Sequence, residues 1–141
     1  MKIYTIGFTK KTLEEFVTRL KKNGVQRIVD IRLNDTSQLS GFAKSPDLAF
    51  ILKQFGIEYV SAKSLAPDKP LLDKYQKDKN WEEYEAGFKA LMKLRNAKEM
   101  LNNLQLDKKI SCFLCSEDKP EKCHRRLVAE MVVNDFEIVH L

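Results

Sequence analysis

The chain has 141 residues and a mass of 16.4 kDa, with 43% apolar and 32% charged side chains. That is the size of one domain, 1–141, and the composition excludes a disordered, collagenous or membrane-spanning protein. A chain of this length buries roughly two-thirds of its unfolded surface, so its core requires no metal or disulfide staple. The 25 Lys and Arg exceed the 20 Asp and Glu, for a net charge of +5. All of the excess lies in residues 1–70, which hold 12 basic and 7 acidic residues, whereas residues 71–141 hold 13 of each. This bias suits an anionic partner and equally suits a solvated lysine-rich face. The stretch from Met1 to Phe8 is broken by Thr9-Lys10-Lys11 and lacks the apolar core of a signal peptide. With no such signal and an odd cysteine count of three, a reducing cytoplasm and free thiols are expected.

The predicted elements begin with a β-rich run, Lys2–Ile6, followed by Gly7. Thr12 and Glu15 have capping-box spacing ahead of an apolar stripe at Leu13, Phe16, Val17 and Leu20, which predicts a helix stopped by Asn23-Gly24. Arg27–Leu33 is a second predicted strand, followed by a long polar loop through Ser45. Pro46 opens the next helix, with stripe Leu48, Ile51, Leu52 and Phe55, and Gly56 ends it before a strand over 57–61. Residues 62–80 hold two of the four prolines, Pro67 and Pro70, and are expected to form a long irregular loop. Helical spacing resumes at Trp81, Tyr84, Phe88, Leu91 and Met92 and continues through Met100, Leu101 and Leu104. Lys109–Cys115 is a nearly continuous apolar strand, His124, Leu127, Val128 and Met131 predict a last helix, and Phe136–Leu141 a last strand. Strands alternating with helices predict a three-layer, Rossmann-like α/β domain with a mostly parallel sheet of about five strands.

Open parallel sheets bind ligands beyond the carboxyl ends of their strands, and the reactive groups of this chain fall at those ends. Thr5 and Gly7 follow the first strand, Asp30 and Arg32 end the second, and Cys115, Ser116 and Glu117 end the fourth. Strand alternation puts Asp30 and Arg32 on one face, where they either shape an anion pocket or merely order the following loop. In Cys123-His124-Arg125-Arg126, helical spacing turns His124 toward the sheet, sets Arg125 beside the opening and sends Arg126 to the opposite face. The alternative is that Cys123 and His124 only pack. A helix start with a nearby arginine favours anions and thiolates, so Cys123 is expected to alkylate first, Cys115 slowly, and mid-strand Cys112 only on unfolding.

Cys112-x2-Cys115 with Cys123-His124 invites a zinc reading, but residues three apart in a strand face opposite sides. Only a smaller set, Cys115, Cys123 and His124, remains for a metal, or Cys115 and Cys123 for a reversible disulfide. Neither a metal nor a cofactor is assigned from the sequence. Cys115 ahead of a turn into a helix also resembles the thiol position of rhodanese-like and phosphatase-like enzymes, and Asp30-Ile-Arg32 resembles the Asp-Val-Arg strand of rhodaneses. Against that, Cys115–Cys123 has no glycine, carries Glu117 and Asp118, and leaves Arg125 ten residues away.

Tyr4-Thr-Ile-Gly7, Asp30-Ile-Arg32, Ser40-Gly-Phe42, Gly56-Ile-Glu-Tyr59, Leu114-Cys-Ser-Glu117, Cys123-His-Arg125 and Val139-His-Leu141 occur in this order over nearly the whole chain. Together they resemble the proteins of the domain of unknown function 488. The resemblance implies a compact α/β fold and one cleft shared by these motifs, and it carries over no activity. Two segments depart from the family pattern. Asn34-Asp-Thr-Ser-Gln38 stands where basic and proline residues are usual, and Leu65-Ala-Pro67 where Leu-Gly-Gly is common.

The expectation is therefore a cleft for an anionic ligand, such as a nucleotide, a phosphoester or a nucleic-acid end, with no membrane association. Arg32 and Arg125 hold the charge with Gly7, Thr5, Ser116 and Cys123 around it. His124, Glu117, Asp30 and Cys115 are the candidate catalytic groups, His124 as proton carrier. The alternatives are a non-catalytic module for nucleic acid or protein, and a thiol enzyme.

Overall fold

A computed structural model describes all residues, 1–141. Five parallel strands, β1 (Lys2–Gly7), β2 (Arg27–Asp30), β3 (Glu58–Ser61), β4 (Ser111–Cys115) and β5 (Glu137–His140), form one sheet in the order β3-β2-β4-β1-β5. The predicted α/β class and the strand count hold. Successive side chains of each strand serve opposite layers. Tyr4, Ile6, Ile28, Cys112 and Leu114 pack with α1 (Leu13–Lys22) and α2 (Ser45–Gln54) on one face. Ile3, Val29 and Phe113 pack with α4 (Trp81–Leu94), α5 (Ala97–Asn103) and α6 (His124–Glu130) on the other. Strand β4, central and buried at every position, explains the unbroken apolar run that marked it.

Local signals set the helix ends. Thr12 and Glu15 form the capping box of α1, and Gly24 and Gly56 adopt positive φ just beyond α1 and α2. No helix is long and apolar enough to cross a membrane.

One segment corrects the expectation. Residues 62–80 are not an irregular loop: a 3-10 turn over Lys63–Leu65 leads into α3 (Lys69–Asp78). Asp68 caps it by accepting from the Leu71 N–H at 2.9 Å, with Pro70 in its first turn, and Lys79 closes it in the left-handed conformation. The prolines that suggested a loop start and flank this helix without entering its interior.

The chain leaving β2 crosses through α2 to one face, and the chain leaving β4 crosses through α6 to the other. β2 and β4 are neighbours, so the carboxyl end of the sheet opens between them. At that edge the last residue of β1 lies beside the turn that follows β4. A methyl group on Gly7 would sit 1.6 Å from the Glu117 carbonyl oxygen, so the turn approaches as closely as it does only because no side chain stands there. Gly7→Ala should lower the unfolding free energy in urea by on the order of 3 kcal/mol, as the turn is forced off the strand. An unchanged denaturation midpoint would contradict this close approach.

Candidate functional site

Two polar assemblies stand at the opening between β2 and β4. The first is built on Asp30, 1% exposed at the end of β2. Its Oδ1 accepts from the Arg32 backbone N–H at 3.1 Å and from Arg32 Nε at 2.9 Å, and its Oδ2 accepts from Arg32 Nη2 at 2.7 Å and from the Tyr59 hydroxyl at 2.5 Å. The guanidinium lies 5.3 Å from the centre of the Phe8 ring. Burial opposes its charge, yet the Asp30 bonds win and hold its pKa above the ordinary arginine value. Burial, with Asp30 as hydrogen-bond partner, pushes the Tyr59 hydroxyl up, so it remains a donor. One donor is left over. Arg32 Nη1 is buried and bonds to nothing, although Arg32 lines the cleft.

The second assembly is built on Arg125, fully buried at the start of α6. Its Nη1 donates to the Glu117 carbonyl, its Nη2 to the Asp118 carbonyl at 3.1 Å, and its Nε to Thr5 Oγ1 at 3.2 Å. Thr5 Oγ1 lies in turn 2.6 Å from His140 Nδ1. Arg125 therefore sits beneath the turn that follows β4 and fixes its course. Arg126, expected in solvent, is half-buried: it bonds Glu130 and Glu85 and lies 5.9 Å from the Trp81 ring.

Above that turn stand Cys115, Cys123 and His124, all buried, with one ligand atom from each lying within 4.8 Å of the others. His124 Nε2 is 2.6 Å from the Ile31 carbonyl oxygen, which only accepts, so Nε2 carries the hydrogen. That leaves Nδ1 as the free lone pair, 3.5 Å from Cys115 Sγ. The Cys123 thiol lowers the Cys115 pKa by hydrogen bonding against the cost of burial, helped by the Ser116 and Glu117 backbone N–H groups and by the Arg125 charge. Cys123 is pushed well up, first by burial and then by Cys115. Burial likewise raises Cys112. The order expected for the first two thiols is thus reversed. Cys123 makes no cap bond to the helix it precedes, and α6 has only seven residues, so the helix start gives it no help.

The cleft between the assemblies has a volume of about 260 Å³. Arg32, Cys115 and His124 form one side, with Ser116, Glu117 and Cys123 beside them. Tyr75 of α3 and Trp81 and Tyr84 of α4 complete the lining, with ring centres 4.8–5.7 Å apart, and the exposed Lys79 and Lys122 also border it. Asp30, Thr5, Gly7 and Arg125 are outside the lining: Asp30 behind Arg32, the other three under the turn. The sequence reading missed the aromatic wall with the helix that carries Tyr75. Asp68 and Pro70 at a helix start, followed by Leu71, Leu72 and Tyr75 at helical spacing, were the available signal.

A family model described as "Domain of unknown function DUF488" matches residues 12–132. The chain belongs to this family. No curated protein and no solved structure matches it. In this DUF488 chain the matched span includes Asp30, Arg32, the aromatic wall and the whole Cys115–Arg125 segment, while β1 with Thr5 and Gly7 precedes it.

On reduced, metal-free protein, iodoacetamide should label Cys115 first, Cys123 slowly and Cys112 only on unfolding. The Cys115 rate should rise with pH to a plateau whose midpoint lies below the free-thiol value of about 8.5. Peptide mapping with Cys123 labelled first would overturn this order.

Proposed function

We propose that the cleft binds an anion carrying a flat ring, a nucleotide or a nucleic-acid end, in a cytoplasmic protein. The unpartnered Arg32 Nη1 carries this reading. A guanidinium already oriented by Asp30 keeps one buried donor unused, and an anionic oxygen would satisfy it without further ordering of the side chain. Lys79 and Lys122 outnumber Glu117 at the edge and favour the same sign of ligand. Tyr75 and Trp81, half-buried in the lining and backed by Tyr84, offer aromatic surface that suits a base and is of no use to inorganic phosphate alone. Three free cysteines accord with a reducing compartment.

The second reading, thiol chemistry at Cys115, is favoured by the His124 Nδ1 lone pair 3.5 Å from its sulfur and by the depressed Cys115 pKa. In that reading His124 carries the proton, and Ser116 and Glu117 flank the reacting sulfur.

Titration of Trp81 fluorescence with ADP tests the first reading. Arg32→Lys keeps a cation for Asp30 but removes the fork, and should weaken ADP binding by about 10- to 100-fold, equivalent to one charge-assisted hydrogen bond. Arg19→Ala, on the exposed face of α1, should leave binding unchanged. A shaped pocket should show a shallow dependence on salt, whereas a nucleic-acid module held by many phosphate contacts should lose affinity steeply. ADP affinity indifferent to Arg32→Lys would refute the assignment.

A further inference from the structure

The arrangement of Cys115, Cys123 and His124 goes further than a thiol with a base beside it. We propose that Cys115 Sγ, Cys123 Sγ and His124 Nδ1 form a three-ligand zinc site whose fourth position opens into the cleft. The open position rests on the anion-binding reading above, because the anion is what it would receive.

Four observations carry the inference. The donor set is two sulfurs and an imidazole nitrogen within 4.8 Å of one another, a soft and borderline set that selects zinc over magnesium or calcium. The spacing fits: zinc–sulfur and zinc–nitrogen bonds of about 2.3 and 2.0–2.1 Å at a tetrahedral angle hold the two donor atoms about 3.5 Å apart. Cys115 Sγ and His124 Nδ1 are 3.5 Å apart. The imidazole is also held as a metal ligand requires, with Nε2–H donated to the Ile31 carbonyl so that the lone pair on Nδ1 faces the sulfurs. Finally, only three protein donors converge, whereas closed structural sites have four, and all three line the cleft that holds Arg32.

Charge balance supports the same conclusion. Two adjacent buried thiolates repel each other unless a cation lies between them. Zinc displaces the remaining thiol protons to solvent, and its two positive charges match two thiolates. The site is then neutral, so an anion approaching Arg32 meets no net negative charge from the sulfurs. An oxygen of that anion, or a water, completes the tetrahedron.

Cobalt(II) reports on such a site through a sulfur-to-metal charge-transfer band and the visible bands of tetrahedral coordination. Reduced, chelator-stripped protein titrated with cobalt chloride should develop both, saturating at one ion per chain, and stoichiometric zinc should abolish them. Cys115→Ser, Cys123→Ser and His124→Ala should each lose the spectrum, while Cys112→Ser, a sulfur of the opposite layer, should keep it. ADP should shift the visible bands of the wild-type protein. Arg32→Lys should retain the cobalt spectrum while losing ADP affinity, which separates the two proposals. Absence of the charge-transfer band from the wild-type protein overturns the metal site and leaves the Arg32 result standing on its own. A band that survives His124→Ala overturns the ligand set, and visible bands indifferent to saturating ADP overturn the open fourth position.

Discussion

Arg125 enters the interior at the start of α6, and none of its hydrogen bonds goes to a carboxylate. Its donors reach two backbone carbonyls of the turn after β4 and the hydroxyl of Thr5. A buried charge is tolerated only when its donors are met, so these oxygens must stay where they are. That requirement joins three parts of the chain. It draws the turn down onto β1, where only glycine leaves room; it fixes Thr5, which also contacts His140 in β5; and it holds the backbone whose N–H groups surround Cys115.

Arg32 is the complementary case. Its charge is matched by Asp30, and Tyr59 closes the far side of that carboxylate, so the guanidinium is rigid with one donor unused. The two arginines, one just past β2 and the other at the start of α6, are both buried and differ in what surrounds them. One is surrounded by oxygens and gives the opening its shape; the other is pinned from one side and faces the cleft. Rigid donors lose little freedom on meeting a ligand, which is what a preorganised site needs.

Much of this was legible in the sequence because it follows from periodicity. The unbroken apolar run of β4 and the apolar stripes of α1, α2 and α4 fix the layers, and the strand-end rule gathers Arg32, Cys115, Ser116, Glu117, Cys123 and His124. What periodicity does not encode is which buried donor finds which acceptor. A helical wheel sets Arg125 near the opening but contains no carbonyls from a turn seven residues earlier, so it could not show the guanidinium directed underneath. It likewise treats Cys123 as a helix start and cannot see that burial outweighs any such help. The α3 segment was hidden for a compositional reason: prolines that initiate a helix count the same as prolines that break one.

The strand order has a consequence for how the protein comes to exist. β1 and β2 do not touch; β4, from residues 111–115, lies between them and hydrogen-bonds to both. The first hundred residues emerging from a ribosome therefore hold β2 with its partner β3 and β1 with no partner at all, and the sheet closes only when the last third of the chain arrives. Contacts between segments so distant in sequence form slowly and leave strand edges bare in the meantime. The cleft is completed later still, when His124 meets the Ile31 carbonyl 93 residues back along the chain. The cleft is a property of the finished polypeptide, and no fragment ending before β4 can form it.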